Sequence, residues 1–274
     1  MDKMKFSVSM CVYGGDNSEH FEVALDSVIN QTAVPDEIVL VVDGPVGEKT
    51  AEVIEKKRQE FDGLNVVALE KNVGHGEARR IGLEKCQYPL VAIMDADDIC
   101  VCDRFEKQLK CFEEDDNLSI VGGNICEFID SPENIVGRRN VPKSHDEIVE
   151  YMKTRCPFNQ MTVMFRKRSV LNSGGYLDWY CDEDYYLWLR MFLNGCKFRN
   201  IDECLVDVRV GRDMYKRRGG LKYFKSEAKL QKFMLKSGII GVPTYIINVV
   251  KRLIVQVLLP NWLRGWVFKK FARE

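Results

Sequence analysis

The stretch Leu90-Val91-Ala92-Ile93-Met94-Asp95-Ala96-Asp97-Asp98 decides how the chain is read. Five apolar residues follow Pro89 and stop at three carboxylates within four positions. A short continuous apolar run fits a strand buried on both faces of a parallel sheet. In α/β folds the C-terminal end of such a strand is where ligands bind. Carboxylates are hard oxygen ligands suited to Mg²⁺ or Mn²⁺. A cluster of them repels itself unless a cation or hydrogen-bond donors offset the charge. The alternative is a solvated acidic turn opening a helix, and the neighbouring segments decide between the two.

Upstream, Phe6–Tyr13 is a first strand, broken by Gly14-Gly15-Asp16-Asn17. Phe21, Ala24, Leu25, Val28 and Ile29 form a helical stripe. Glu37–Val42 is a second buried strand ending at Asp43-Gly44-Pro45, Thr50–Phe61 is an amphipathic helix, and Asn65–Leu69 is a third strand. Asn72-Val73-Gly74-His75-Gly76 is a loop leading into a helix over Glu77–Cys86, before the opening strand. This β-α-β-α-β-α-β order predicts right-handed parallel crossovers and an α/β domain. Neither GxGxxG nor GxxxxGK[ST] is present, so the usual dinucleotide and P-loop signatures are excluded. Asp43, after the second strand, is placed to take hydrogen bonds from a nucleoside or to make a plain turn before Gly-Pro.

Beyond the acidic turn, Arg104–Glu113 reads as a helix, Ser119–Phe128 as a strand, Ser131–Lys143 as a polar loop and Asp146–Lys153 as a short helix. Pro157–Phe165 reads as another strand, and Phe198–Val210 as one or two short strands. Asp182, Glu183 and Asp184 open a helix that Gly195 closes, and acids in a first turn suit the helix dipole. Asp184 aimed into a cleft, apart from metal-binding carboxylates, would instead have the separation that a general base requires.

The net charge of −1 hides an asymmetry. From Arg209 onward there are 16 Lys and Arg against three acids, while the first 208 residues hold 24 bases and 38 acids. Lys222, Lys225, Lys229, Lys232 and Lys236 recur at helical spacing. Ile239–Leu259 is strongly apolar, but Pro243 and Lys251-Arg252 interrupt it before a spanning length of about 18 residues is reached. Interleaved Trp262, Arg264, Trp266, Phe268, Lys269 and Lys270 suit a membrane interface better than nucleic acid. The alternative is a helical hairpin packed on the core. Ten cysteines show no CxxC spacing and many lie in apolar runs, and the N-terminus shows no signal-peptide core. We expect free thiols and a cytoplasmic protein, peripheral at the inner face of the cell membrane.

In order, the strand SVSMCVY, the helix end SVINQ, DEIVLVVDG, KNVGHGEARRIGLE, MDADD with Arg104-Phe105, GGY and Glu183-Asp184 resemble glycosyltransferase family 2 over roughly residues 6 to 212. The later segments EDYYLWLRM, RRGGLKY and LLPNWLR look like those of bacterial capsule and exopolysaccharide enzymes of the amylovoran-biosynthesis type. The resemblance implies a GT-A fold, with a mostly parallel, Rossmann-like central sheet flanked by helices. Residues 1–208 would be catalytic, with a nucleotide-sugar half to about 100 and an acceptor half after it, and 209–274 would be a basic amphipathic helical tail. It implies an inverting transferase that uses a nucleotide sugar, most often a UDP sugar, with Mn²⁺ or Mg²⁺. The acceptor would be a saccharide, lipid-diphosphate-linked in this subgroup, met at the membrane surface.

By the same resemblance, Val12, Tyr13, Asp43, Arg79 or Arg80, Asp95 and Ala96 would hold the nucleotide sugar. Asp97, with Asp98, would reach the metal and diphosphate, and Asp184 would be the general base. Glu183, Trp179, Arg209, Arg217 and Arg218 are further candidates, as is Arg212. The family usually has Arg-Asn where this chain has Arg79-Arg80, which leaves open which side chain faces the base. The QxxRW motif of processive members is absent, which favours one sugar per encounter.

Overall fold

A computed structural model describes residues 4–211 and 219–259. Its frame is a nine-stranded sheet. Strands β1 (Phe6–Tyr13), β2 (Glu37–Asp43), β3 (Leu64–Ala68) and β4 (Leu90–Asp95) are all parallel, in the order β3-β2-β1-β4. β2 is buried along its length, and β1 and β4 are buried up to their C-terminal ends. That is why they read as unbroken apolar runs rather than alternating ones. Helices α1 (Ser18–Ile29), α2 (Glu48–Glu60) and α3 (His75–Lys85) make the crossovers. Asn17 starts α1 by accepting the Glu19 and His20 N–H groups on its side-chain oxygen, at 2.9 and 3.0 Å.

The sheet changes character past β4. A two-residue strand β5 (Ile99–Cys100) and helix α4 (Arg104–Glu114) lead to the long central strand β6 (Leu118–Phe128), which is wholly buried. Next come β7 (Ile135–Arg139), α5 (His145–Met152), a 3₁₀ turn at Gln160–Thr162, β8 (Met164–Arg166), α6 (Lys167–Asn172), α7 (Glu183–Leu193) and β9 (Lys197–Arg209). β8 lies between β4 and β6, antiparallel to both, while β6 and β9 are parallel. The expectation of a mostly parallel sheet therefore holds for the first half, and the second half is mixed.

Several segments differ from the sequence reading. The polar 131–143 loop contains β7, an edge strand with no apolar run, most of its residues exposed. Of the expected 157–165 strand only Met164 and Phe165 are extended, in β8, and 197–209 is one 13-residue strand whose register shifts against β6. Cys126 and Cys204 form a disulfide between β6 and β9, which corrects the expectation that all ten thiols are free. The pair is 78 residues apart in sequence, so spacing gave no signal.

Arg104, expected only as a helix start, is fully buried. It donates to the carbonyls of Ile93 and Val163 at 2.9 and 3.3 Å and so pins β4 from below.

Past β9, helix α8 (Leu221–Lys236) and helix α9 (Val242–Leu253) form a hairpin, and α9 runs on into a π-helical turn, Ile254–Leu258. Leu230, Met234, Ile239 and Ile240 of this hairpin join Trp188 and Leu187 of α7 in one apolar cluster. The hairpin thus packs on the α/β unit. Among the described residues no helix is long and apolar enough to cross a membrane.

Candidate active site

The order β3-β2-β1-β4 changes direction at β1, so crossovers diverge between β1 and β4 and leave a crevice at their C-terminal ends. Tyr13 pairs with Asp43 and Cys11 with Asp95 in the strand register, which sets these residues along one edge. Asp43 is buried. Its two oxygens accept the N–H groups of Val73 and Gly74, at 2.7 and 3.1 Å. Gly44 has φ +85°, and a Cβ there would stand 2.6 Å from the Asn72 nitrogen, so only glycine lets the loop after β2 lie against the loop before α3. Asp43 therefore orders the nucleotide-side loop through hydrogen bonds of its own. Val12 and Ala96 are buried, while Tyr13 is 48% exposed and free to stack on a planar ligand.

The acidic turn after β4 carries unequal carboxylates. Asp98 is buried and accepts the Arg209 N–H at 2.9 Å. The Arg209 guanidinium bonds the Asp97 carbonyl at 3.3 Å and lies over the Phe128 ring. Asp98 thus fastens the turn to the end of β9 through one of its two oxygens. Asp97 stays exposed at the tip. Crowding by the surrounding protein, then the charges of Asp95 and Asp16, push its carboxyl up to about 6. Asp16 is itself raised, by burial first.

One arginine joins this edge to the second acidic pair. Arg79, 4% exposed, donates to Asp95 at 2.7 Å and reaches Glu183 at 3.8 Å. Burial opposes its charge, and Asp95, Tyr176 and Glu183 more than offset that. Arg80 points the other way and pairs with Glu77 and Glu84 on its own helix. Of the two arginines, Arg79 is the one at the crevice. Glu183 is raised by burial but ends below the usual range because His75 and Arg79 face it.

Asp184 lies beyond Glu183, half-buried, with its Oδ1 on the Tyr185 N–H at 2.6 Å. Burial, then the Glu183 charge, push its carboxyl up to about 6. That suits a base which must accept a proton near neutral pH.

Asp184 lines a cavity of about 760 Å³ whose other walls the sequence did not announce. Arg139 from β7 donates to Cys156 O, Phe158 O and Asn159 Oδ1, and so shapes the segment facing Asp184. Asn248, Arg252 and Gln256 close the far wall. Asp182 also lines the cavity; burial, then Glu227 and Asp184, push its carboxyl up to about 8, and its Oδ2 has no partner. These amide, guanidinium and carboxyl groups suit the hydroxyls of a sugar. Apart from Asp182, which directly precedes the acidic pair, no local motif marks them, because each is brought in by tertiary packing. Trp179 does not line the cavity. It packs on Tyr186 at 4.3 Å beneath Lys229. Arg212, Arg217 and Arg218 lie outside the described residues.

No group of three His, Cys, Asp or Glu side chains converges as a metal site among the described residues. Asp97 nevertheless fits a divalent ion. It is exposed, has two like charges beside it, and has no ion pair of its own among the described residues. Mg²⁺ commonly binds through one or two carboxylates with substrate phosphates supplying the rest.

A parallel half-sheet with a carboxylate edge, joined to a mixed half that carries a second acidic pair, is the frame of a GT-A glycosyltransferase. Residues 7–175 match the family model "Glycosyl transferase family 2". The chain belongs to glycosyltransferase family 2.

A curated Escherichia coli relative, "UDP-Gal:alpha-D-GlcNAc-diphosphoundecaprenol beta-1,3-galactosyltransferase", is 38% identical over 100% of this chain and 98% of its own. The "Amylovoran biosynthesis glycosyltransferase AmsE" of Erwinia amylovora is 39% identical over 84% of this chain and 85% of its own. An uncharacterized glycosyltransferase of Haemophilus influenzae is 40% identical over 99% and 100%. Among solved structures, S. aureus TarS 1-349 in complex with UDP-GlcNAc superposes with a TM-score of 0.69 at 18% identity, over 92% of this chain and 73% of that one. The mannosyltransferase PcManGT from Pyrobaculum calidifontis, in complex with GDP-Man and Mn²⁺, gives 0.62 at 15%, over 95% and 71%.

Proposed function

We propose that this family 2 enzyme moves a hexose from a UDP sugar to a hydroxyl of a lipid-diphosphate-linked saccharide, by a single displacement that inverts the anomeric centre. The observation that carries the reading is the pairing of Asp97 at the strand edge with Asp184 in a separate polar cavity, bridged by Arg79 through Asp95 and Glu183. The near end-to-end match to a relative named for a UDP-Gal donor and a diphosphoundecaprenol acceptor supports the substrate classes.

The nucleotide would lie over β1 and β2, with its base beside Tyr13 and the loop that Asp43 orders. Asp95, held by Arg79, faces the ribose. Asp97 would hold Mn²⁺ or Mg²⁺ against the diphosphate, and that ion supplies charge stabilisation to the leaving group when bound. Arg209, already at the acidic turn, adds a cation there. Asp184 takes the proton of the acceptor hydroxyl as its oxygen attacks the anomeric carbon. The glycosidic oxygen bond forms on one face while the bond to the diphosphate breaks on the other, and UDP departs.

Nucleotide sugars are cytoplasmic metabolites and the acceptor's lipid stays in the bilayer, so the enzyme would act at the inner face of the membrane. Incubation with a panel of UDP, GDP and dTDP sugars and a diphosphate-linked acceptor tests the reading. Free UDP and a glycosylated acceptor are expected. Pyrophosphate release would mean nucleotidyl transfer, and no product from any donor would mean a binding module.

A further inference from the structure

Helix α9 wears its polar side inward. Asn248, Arg252 and Gln256, spaced by four, face the protein. Asn248 is 4% exposed and donates to Lys153 O at 2.9 Å and to Gln231 Oε1 at 2.8 Å. Arg252 donates to Glu227 and to Thr154 O, and Gln256 donates to the same Glu227 carboxylate at 2.8 Å. The opposite side carries Ile246, Ile247, Val250, Leu253, Ile254 and Leu258, between 36% and 66% exposed. A helix on a water-facing surface has the reverse arrangement. Single exposed aliphatics need no explanation, whereas a continuous stripe marks a contact surface. The inner bonds fix the helix in this orientation, since turning it would strand three polar side chains.

The charge around the stripe selects its partner. Residues 219–259 hold seven Lys and Arg and one acid, Glu227, which Arg252 already pairs. Lys222, Lys225, Lys229, Lys232, Lys236 and Lys251 are all exposed. A second copy of the chain would bring like charge against like. An apolar helix face amid lysines fits an anionic bilayer surface. The same helix also walls the cavity. Lys251 and Thr154 are exposed and line it, while Arg252 and Gln256 line it from within.

We propose that α9 lies in the interfacial layer of an anionic membrane on its Ile246–Leu258 face, so that the Asp184 cavity opens beside the bilayer. The acceptor's lipid then stays in the membrane while its terminal sugar enters past Lys251. This rests on the lipid-linked acceptor proposed above and goes beyond a basic tail in one respect: the docking element is the outer face of a helix whose inner face forms the acceptor site.

The test uses the full chain and an Ile246→Asp/Val250→Asp variant, co-sedimented with phosphatidylcholine vesicles with and without phosphatidylglycerol. Circular dichroism and thermal melting confirm that the variant, changed only at exposed positions, is folded. Wild type is expected to sediment with the anionic vesicles only. The variant's partition coefficient should fall by about tenfold or more, because two aliphatic side chains lose their burial and gain charge. Transfer to a short-chain, water-soluble diphosphate acceptor should be unchanged, while KM for the same headgroup in vesicles rises. Equal sedimentation of the two proteins overturns the proposal, as does wild type that ignores anionic vesicles. A wild-type dimer that the variant converts to monomer, with vesicle binding unchanged, would assign the face to a second copy. Failure of the transferase reading is separately visible as absence of UDP release, because vesicle binding does not depend on turnover.

Discussion

The donor edge and the acceptor cavity hold their polar groups by different means. At the donor edge, carboxylates are fixed by backbone N–H groups: Asp43 by Val73 and Gly74, Asp16 by Tyr13, and Asp98 by Arg209. At the cavity, side chains hold carbonyls and one another across long sequence distances. Arg139 grips residues 156–159, and Asn248 reaches Lys153 across 95 residues. Backbone N–H groups fix these carboxylates one by one, from Tyr13 three residues away to Arg209 111 residues away, and so depend on the path of the main chain at the strand ends. Side-chain networks need only a fold that brings the partners together, and they can vary without disturbing the strand edge.

Substitutions on either side break or sharpen that contrast. Asp184→Asn should lower the transfer rate by about 10²–10⁴-fold, the usual worth of general-base assistance, read as product formed in a single turnover. Removing divalent ions with EDTA should cost about a thousandfold, with recovery on adding Mn²⁺ or Mg²⁺. Full activity after chelation would remove the metal from the account.

Arg79 ties the two sides together, reaching both Asp95 and Glu183. Arg79→Ala leaves Asp95 and Glu183 without their cation, and breaking such a buried pair costs about 3–5 kcal/mol of stability. Chemical denaturation should show this, whereas the half-buried Arg80→Ala, paired only along its own helix, should stay within about 0.5 kcal/mol of wild type. The smallest effect is on pH. Asp184 acts only when ionised and titrates at about 6, so kcat/KM should be flat above that value and fall tenfold per pH unit below it.

The same contrast explains what the sequence could and could not reveal. The parallel half was readable because strands buried on both faces must be apolar, and Leu90–Met94 followed by Asp95 leaves few other readings. Family resemblance named Asp43, Asp95, Asp97, Glu183 and Asp184 and implied a role for each, but not the contacts that hold them. Asp43 and Asp98 turned inward to backbone donors, and only the three-dimensional placement separates Arg79 from Arg80, which sit one residue apart on a helix. β7 was hidden because an exposed edge strand needs no apolar pattern. Arg139, Asn159 and the inner face of α9 were hidden because nothing local ties them to Asp184. The aliphatic run over 239–259 could be read as a membrane-seeking tail or as a packed hairpin. In the structure its beginning, Ile239 and Ile240, is buried in the core, and much of the rest faces outward.

The division of labour between the two acidic pairs is tested most directly by calorimetric binding of UDP, with Mn²⁺ present, to wild type, Asp97→Asn and Asp184→Asn. Asp97→Asn is expected to lose most of its UDP affinity, while Asp184→Asn binds UDP as wild type does and yet fails to transfer. Loss of UDP binding by Asp184→Asn with retention by Asp97→Asn would contradict it.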